Sequence, residues 1–169
     1  MTVEDLNRLP IDEARAALER CCGAAAWVER LCAARPFHDR EHLFAEAEDA
    51  ARGLAASDWR EAFSHHPRIG DLDSVRARFA STAGWAADEQ RGAVAGGEAM
   101  LRALAEGNRA YEEKFGYIFI VCATGKGAGE MLALLESRLH NDAAAELRNA
   151  AEEQMKITRL RLEKLLSEL

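Results

Sequence analysis

The chain has 169 residues, enough for one domain with a sizeable core, and 49% hydrophobic against 30% charged residues marks it as folded rather than disordered. Its formal charge of -7, with no block of Lys and Arg, argues against a phosphate backbone as partner. The longest apolar run, YIFIVCA, falls far short of the roughly 20 residues that span a bilayer, and the acidic start MTVEDLNRLP lacks the pattern of a signal peptide. A soluble, cytoplasmic protein is expected.

Ala, Leu, Glu and Arg dominate the text, and three prolines interrupt it, so helices are predicted throughout. Asp12 caps the first, with Ala14, Ala17, Leu18 and Cys21 on one face and Gly23 as the stop. A second carries Ala24, Trp27, Val28 and Leu31 and ends before Pro36, which disfavours helix at Arg35. Asp39 caps a third, with Leu43, Ala47, Ala50 and Leu54 as its stripe and Gly53 near its end. Ser57 caps a short fourth that carries Trp59, Ala62 and Phe63 and must stop near His66, because Pro67 follows.

An irregular, glycine-containing stretch comes next, then a helical segment over AADEQRGAVA that Gly96 and Gly97 should break. A longer helix follows, with Leu101, Leu104, Asn108 and Tyr111 on one face. FGYIFIVCATGKG is a β-rich apolar run between glycines; with no partner strand elsewhere, it reads as a buried extended connector or a helix start. Two helices close the chain, over 129–140 and from 142 onward, the latter capped by Asp142. The expected architecture is an all-α, single-domain bundle of about seven or eight helices over 1–169.

Four cysteines include the adjacent pair Cys21 and Cys22 but no C-x-x-C, so reduced, buried thiols are expected. His38 and His42 have the i,i+4 spacing of a metal-binding helix, without an evident third ligand; solvated histidines in a polar first turn are the alternative. His65 and His66 point about 100° apart on a helix and make a poor clamp. His66 is the more informative, since Pro67 and Gly70 can hold its imidazole at a pocket rim, where a group titrating near neutrality suits acid–base work. A histidine satisfied at a helix C-terminus has the same local pattern. Asp88 and Glu89 are adjacent, so at most one faces inward. Asn108 on an apolar stripe needs a partner for its amide. Arg161 shares a face with Ile157 and Leu165, either lying along apolar surface or holding an anion. Gly125, Lys126 and Gly127 give only a weak phosphate-loop signal.

Taken in order, Trp27, RPF at 35–37, HPRIG at 66–70, EQ at 89–90, NRAYEEKFGYIFIVCATGK at 108–126, RLHND at 138–142 and ITRLRL at 157–162 resemble the 2-oxo-4-hydroxy-4-carboxy-5-ureidoimidazoline (OHCU) decarboxylase family of urate breakdown. The resemblance runs over essentially the whole chain. It implies an all-α fold and a cofactor-free decarboxylation of OHCU to (S)-allantoin, with a small-molecule substrate, no nucleic acid or membrane partner, and a homodimer. It places the proton donor on His66 and its carboxylate partner on Glu89. It assigns substrate contacts to Pro67, Gln90, Phe119, Ile120, Val121, Cys122, Ala123 and Arg161. Many members carry serine where this chain has Ala86, so a hydroxyl contact to the substrate is lost or passes to Ser81, Thr82 or water. Two other readings are a metal-dependent hydrolase of a small ureide, using His38, His42, His65 or His66, and a non-catalytic helical interaction module.

Overall fold

The computed structural model describes residues 1–68, 71–80 and 90–167. Among the described residues there are nine helices and no strand, which bears out the all-α class. They are α1 (Val3–Arg8), α2 (Ile11–Glu19), α3 (Ala25–Ala34), α4 (Arg40–Arg52), α5 (Ala56–Ser64), α6 (Leu72–Ala80), α7 (Gln90–Phe115), α8 (Ala128–Leu139) and α9 (Ala143–Ser167). Two compact units comprise Met1–His66 with Ile120–Cys122 and Leu147–Leu169, and Pro67–Phe119 with Ala123–Glu146.

The first unit holds α1 to α5 and most of α9 around Leu6, Leu18, Trp27, Leu31, Leu43 and Leu162, all almost without solvent contact. The Trp27 indole donates to the Ala47 carbonyl at 3.0 Å, tying α3 to α4. α4 begins at Asp39, whose carboxylate accepts from the His42 amide at 2.8 Å, and ends at Gly53. Asp142 caps α9 in the same way through the Ala145 amide, at 2.8 Å. Other helix starts differ from expectation. α2 begins at Ile11, preceded by Pro10, with Asp12 inside its first turn, and α5 begins after Ala55, whose amide donates to Asp58 at 2.8 Å. The hydrophobic stripes are unchanged; only the capping residue moves.

Two helices were not expected, and two expected segments run together in α7, so the described residues form nine helices rather than seven or eight. α1 forms because Thr2 and Asp5 make a reciprocal capping box, at 3.1 and 2.8 Å. α6 begins where the Asp71 carboxylate accepts from the Ser74 amide at 2.7 Å, an end-cap hidden in the DLDS text. A third difference is that Gly96 and Gly97 lie inside α7 and do not break it. Glycine costs about 1 kcal/mol each relative to alanine in a helix. That cost is outweighed by good helix formers from Glu98 onward, by the Arg76–Glu98 ion pair to α6 at 2.6 Å, and by packing along α8. At Gly107 a Cβ would lie 2.6 Å from Cδ2 of the buried Leu135, so any larger residue there would have to displace that side chain.

The RPF segment is gripped by the first unit's N-terminal turn. The Asn7 side chain accepts from the Phe37 amide at 2.9 Å and donates to the Phe37 carbonyl at 2.8 Å. Arg35 donates to the carbonyls of Asn7 and Leu9, at 2.5 and 2.6 Å. Each such bond stabilises by about 0.5–1.5 kcal/mol. Asn7→Ala should therefore lower stability by about 1–3 kcal/mol, seen as a lower urea midpoint with an unchanged m-value.

Candidate functional site

His66 stands just beyond α5. Its backbone amide donates to the Phe63 carbonyl at 3.2 Å, and Pro67 prevents the helix from continuing. Its half-buried ring meets α9, where Nε2 lies 2.6 Å from Oε1 of the fully buried Gln154. Gln154 in turn donates through Nε2 to the Thr158 hydroxyl, one helical turn on, at 3.2 Å. In the same unit the Cys22 thiol is fully buried, and burial raises it above its ordinary pKa. His65 turns the other way: it is exposed, and its ring lies on Gly23, where a Cβ would come within 2.3 Å of the imidazole. The two adjacent histidines are thus separated, as their spacing requires.

Arg161 lies on the same stripe of α9, seven residues beyond Gln154 and three beyond Thr158, and is half-buried. Its guanidinium makes a long bond of 3.4 Å to the Arg20 carbonyl, and among the described residues no carboxylate pairs with it. Such an arginine retains hydrogen-bonding capacity for an anion. The connector residues Ile120, Val121 and Cys122 are buried in this unit. The Cys122 amide donates to Glu153 Oε2 of α9 at 3.1 Å, so the backbone there is pinned by a carboxylate. A surface cavity of about 510 Å³ in this unit is lined by Phe44, Ala47, Trp59, Met155 and Leu162 among others, and none of the expected site residues lines it.

In the second unit, Pro67 is exposed and Arg68 forms a two-pronged ion pair with Glu112 of α7, with Nε to Oε2 at 3.0 Å. Phe119 and Ala123 are half-buried. Phe119 lies under the Arg138 guanidinium, 4.6 Å from its ring centroid, and packs edge-on against Tyr111 at 5.3 Å. Arg138 is held by the fully buried Glu146, Nε to Oε1 at 2.7 Å, and Asn141 and the Tyr111 hydroxyl also donate to that carboxylate. Burial alone would raise the Glu146 carboxyl. The bonds from Arg138, Tyr111 and Asn141 outweigh it and hold the pKa below the ordinary 4.5. The Tyr111 phenol is pushed upward by burial and by its bond to Glu146. Sequence reasoning missed this cluster and the Gln154–Thr158 pair. The RLHND motif and the polar residues four apart in α9 were its visible traces.

Ala86 and Glu89 lie outside the described residues. Gln90 is the first residue of α7, and its side chain is outside them as well. Asn108 satisfies its amide on the Leu104 carbonyl at 2.8 Å, a local bond along its own helix. The four cysteines are free and buried, and burial pushes Cys21 up to about 11. His38 and His42 stack at 4.8 Å, and the His42 Nδ1 accepts from the His38 amide at 3.1 Å. That nitrogen is therefore engaged by the residue just ahead of the Asp39 cap, and among the described residues no three potential ligands cluster.

Residues 7–163 match the family described as OHCU decarboxylase. The chain belongs to that family. It is 39% identical over 151 residues to the uric acid degradation bifunctional protein TTL of Arabidopsis thaliana, an alignment covering 88% of this chain and 46% of that protein. It thus spans about half the length of that relative. The 2-oxo-4-hydroxy-4-carboxy-5-ureidoimidazoline decarboxylase of Amia calva is 30% identical over 155 residues, covering 88% of this chain and 83% of the relative. A crystal structure of OHCU decarboxylase in the presence of (S)-allantoin superposes with a TM-score of 0.71 at 36% identity, covering 89% of this chain and 96% of that one.

The buried Glu146 makes stability depend on pH. A carboxyl depressed in the folded state stabilises above its unfolded value, and that contribution is lost as the pH falls through the folded value. Acid unfolding should therefore steepen below about pH 4.5. Glu146→Ala should cost about 3–5 kcal/mol by leaving Arg138 buried and unpaired, and should flatten that acid limb in thermal melts taken at a series of pH values.

Proposed function

We propose that this chain decarboxylates 2-oxo-4-hydroxy-4-carboxy-5-ureidoimidazoline to (S)-allantoin, with His66 as general acid–base and Glu89 as its carboxylate partner. The observation that carries the reading is the family match across residues 7–163, which includes both motif positions. The substrate's chemistry accounts for the modest equipment. When the bond to the carboxylate breaks, CO₂ departs and its electron pair stays on the ring carbon, where the conjugated imidazoline delocalises it. The substrate is its own electron sink, and the protein has to orient it, stabilise the developing charge and deliver one proton.

His66 hydrogen-bonds the 4-hydroxyl and carboxylate region and supplies that proton. Glu89 orients the imidazole or the ring N–H groups, and Gln90 and Pro67 complete the contacts near the ring. Arg161 and the amides of the Phe119–Ala123 connector hold the ureido and carbonyl oxygens, as fixed dipoles that need not reorganise during reaction. The Cys122 amide is already bonded to Glu153, so this task falls to its neighbours. Proton delivery to one face yields one enantiomer. Ala86 supplies no hydroxyl, so Ser81, Thr82 or water takes that contact. The proposed setting is cytoplasmic, which the four reduced thiols suit, and the proposed assembly is a homodimer, to be read by light scattering.

The test generates the unstable intermediate from urate with the two preceding enzymes and follows (S)-allantoin by circular dichroism. Adding the protein should accelerate its appearance; a rate equal to spontaneous decay would refute the activity. His66→Gln should lose about 10²–10⁴-fold in rate, with an unchanged far-ultraviolet spectrum.

A further inference from the structure

We propose that Gln154 is a positioning residue for His66: it accepts the Nε2–H of the ring and so makes Nδ1 the nitrogen that exchanges a proton with substrate. The inference rests on the reading of His66 as the acid–base group. The argument begins with burial. Gln154 has no solvent exposure, and an amide in that position needs partners on both ends, since an unsatisfied buried polar group costs about 1–3 kcal/mol. A leucine would fill similar space without that demand. The partners are specific, and one of them lies 88 positions away in sequence, on His66.

The direction of the chain of bonds sets the tautomer. The Gln154 nitrogen donates to Thr158 Oγ1 at 3.2 Å, which turns its carbonyl toward the imidazole at 2.6 Å. A carbonyl oxygen only accepts, so Nε2 carries the hydrogen. A neutral imidazole has one N–H, so Nδ1 then carries the lone pair. Turned over, the amide would accept from the Thr158 hydroxyl and donate to the ring, which would put the ring hydrogen on Nδ1; the two orientations therefore give opposite tautomers.

The choice of an amide has a chemical consequence. A carboxylate at the same point would fix the ring equally well but would favour its protonated form. Glutamine orients the ring and selects the tautomer without adding a second negative charge to that of Glu89, the proposed carboxylate partner.

The test uses the full-length protein labelled with ¹⁵N-histidine, with His66 assigned by the signals absent from His66→Gln. The neutral ring should show a protonated Nε2 and an unprotonated Nδ1 without substrate present. Gln154→Leu should lose that bias and about 10–100-fold in kcat, with KM little changed. Gln154→Glu, which keeps an acceptor at the same place, should retain the Nε2–H signature and guards against a leucine variant that does not fold. A wild-type His66 protonated at Nδ1, or a folded Gln154→Leu with wild-type kcat, would overturn the proposal. Absence of decarboxylation by the wild-type protein would instead overturn the functional reading, which the ring spectrum does not depend on.

Discussion

A polar atom removed from water must find a partner, and α9 carries three side chains under that constraint. Glu146, Gln154 and Thr158 are all fully buried. Within the second unit, Glu146 gathers Tyr111, Arg138 and Asn141, and Arg138 in turn covers Phe119. Within the first unit, Gln154 links His66 to Thr158, and the neighbouring Glu153 takes the Cys122 amide. Residues distant in sequence are thereby fastened to one helix by bonds that have a direction as well as an energy. Apolar contacts such as Leu162 in the core add stability without selecting which face of a ring looks outward.

Much of this was legible in the residues. The stripes of α3 and α4, the stop imposed by Pro36, the cap at Asp39 and the cap at Asp142 follow from helix period and end chemistry. The extended character of the run after Gly116 followed from its composition and from the lack of a partner strand. His66 stood out because a proline fixes the chain behind it. Family resemblance then separated it from His65, which the structure places against Gly23.

What was hidden has a common cause. The capping box of α1 and the Asp71 cap of α6 are short polar patterns, easily mistaken for loop text when the helix they start is only six or nine residues long. The glycine pair inside α7 breaks a local rule that tertiary packing and good neighbouring helix formers override. Glu146 and Gln154 look like ordinary solvated positions, because burial of a polar side chain depends on partners that periodicity does not reveal. Arg138 sits only eight residues from Glu146, yet nothing in that spacing shows that both are out of water.

The contact between Gly23 and His65 bears on how freely this protein can be altered. The virtual Cβ at position 23 meets not only the imidazole but also the His65 Cβ, at 2.8 Å. Displacing that stem requires the backbone to move, and the next residue along is His66. Any side chain at position 23 would therefore displace His65 and pull on the end of α5 that leads into His66. The intolerance to substitution there comes from packing alone, on a ring that neighbours His66.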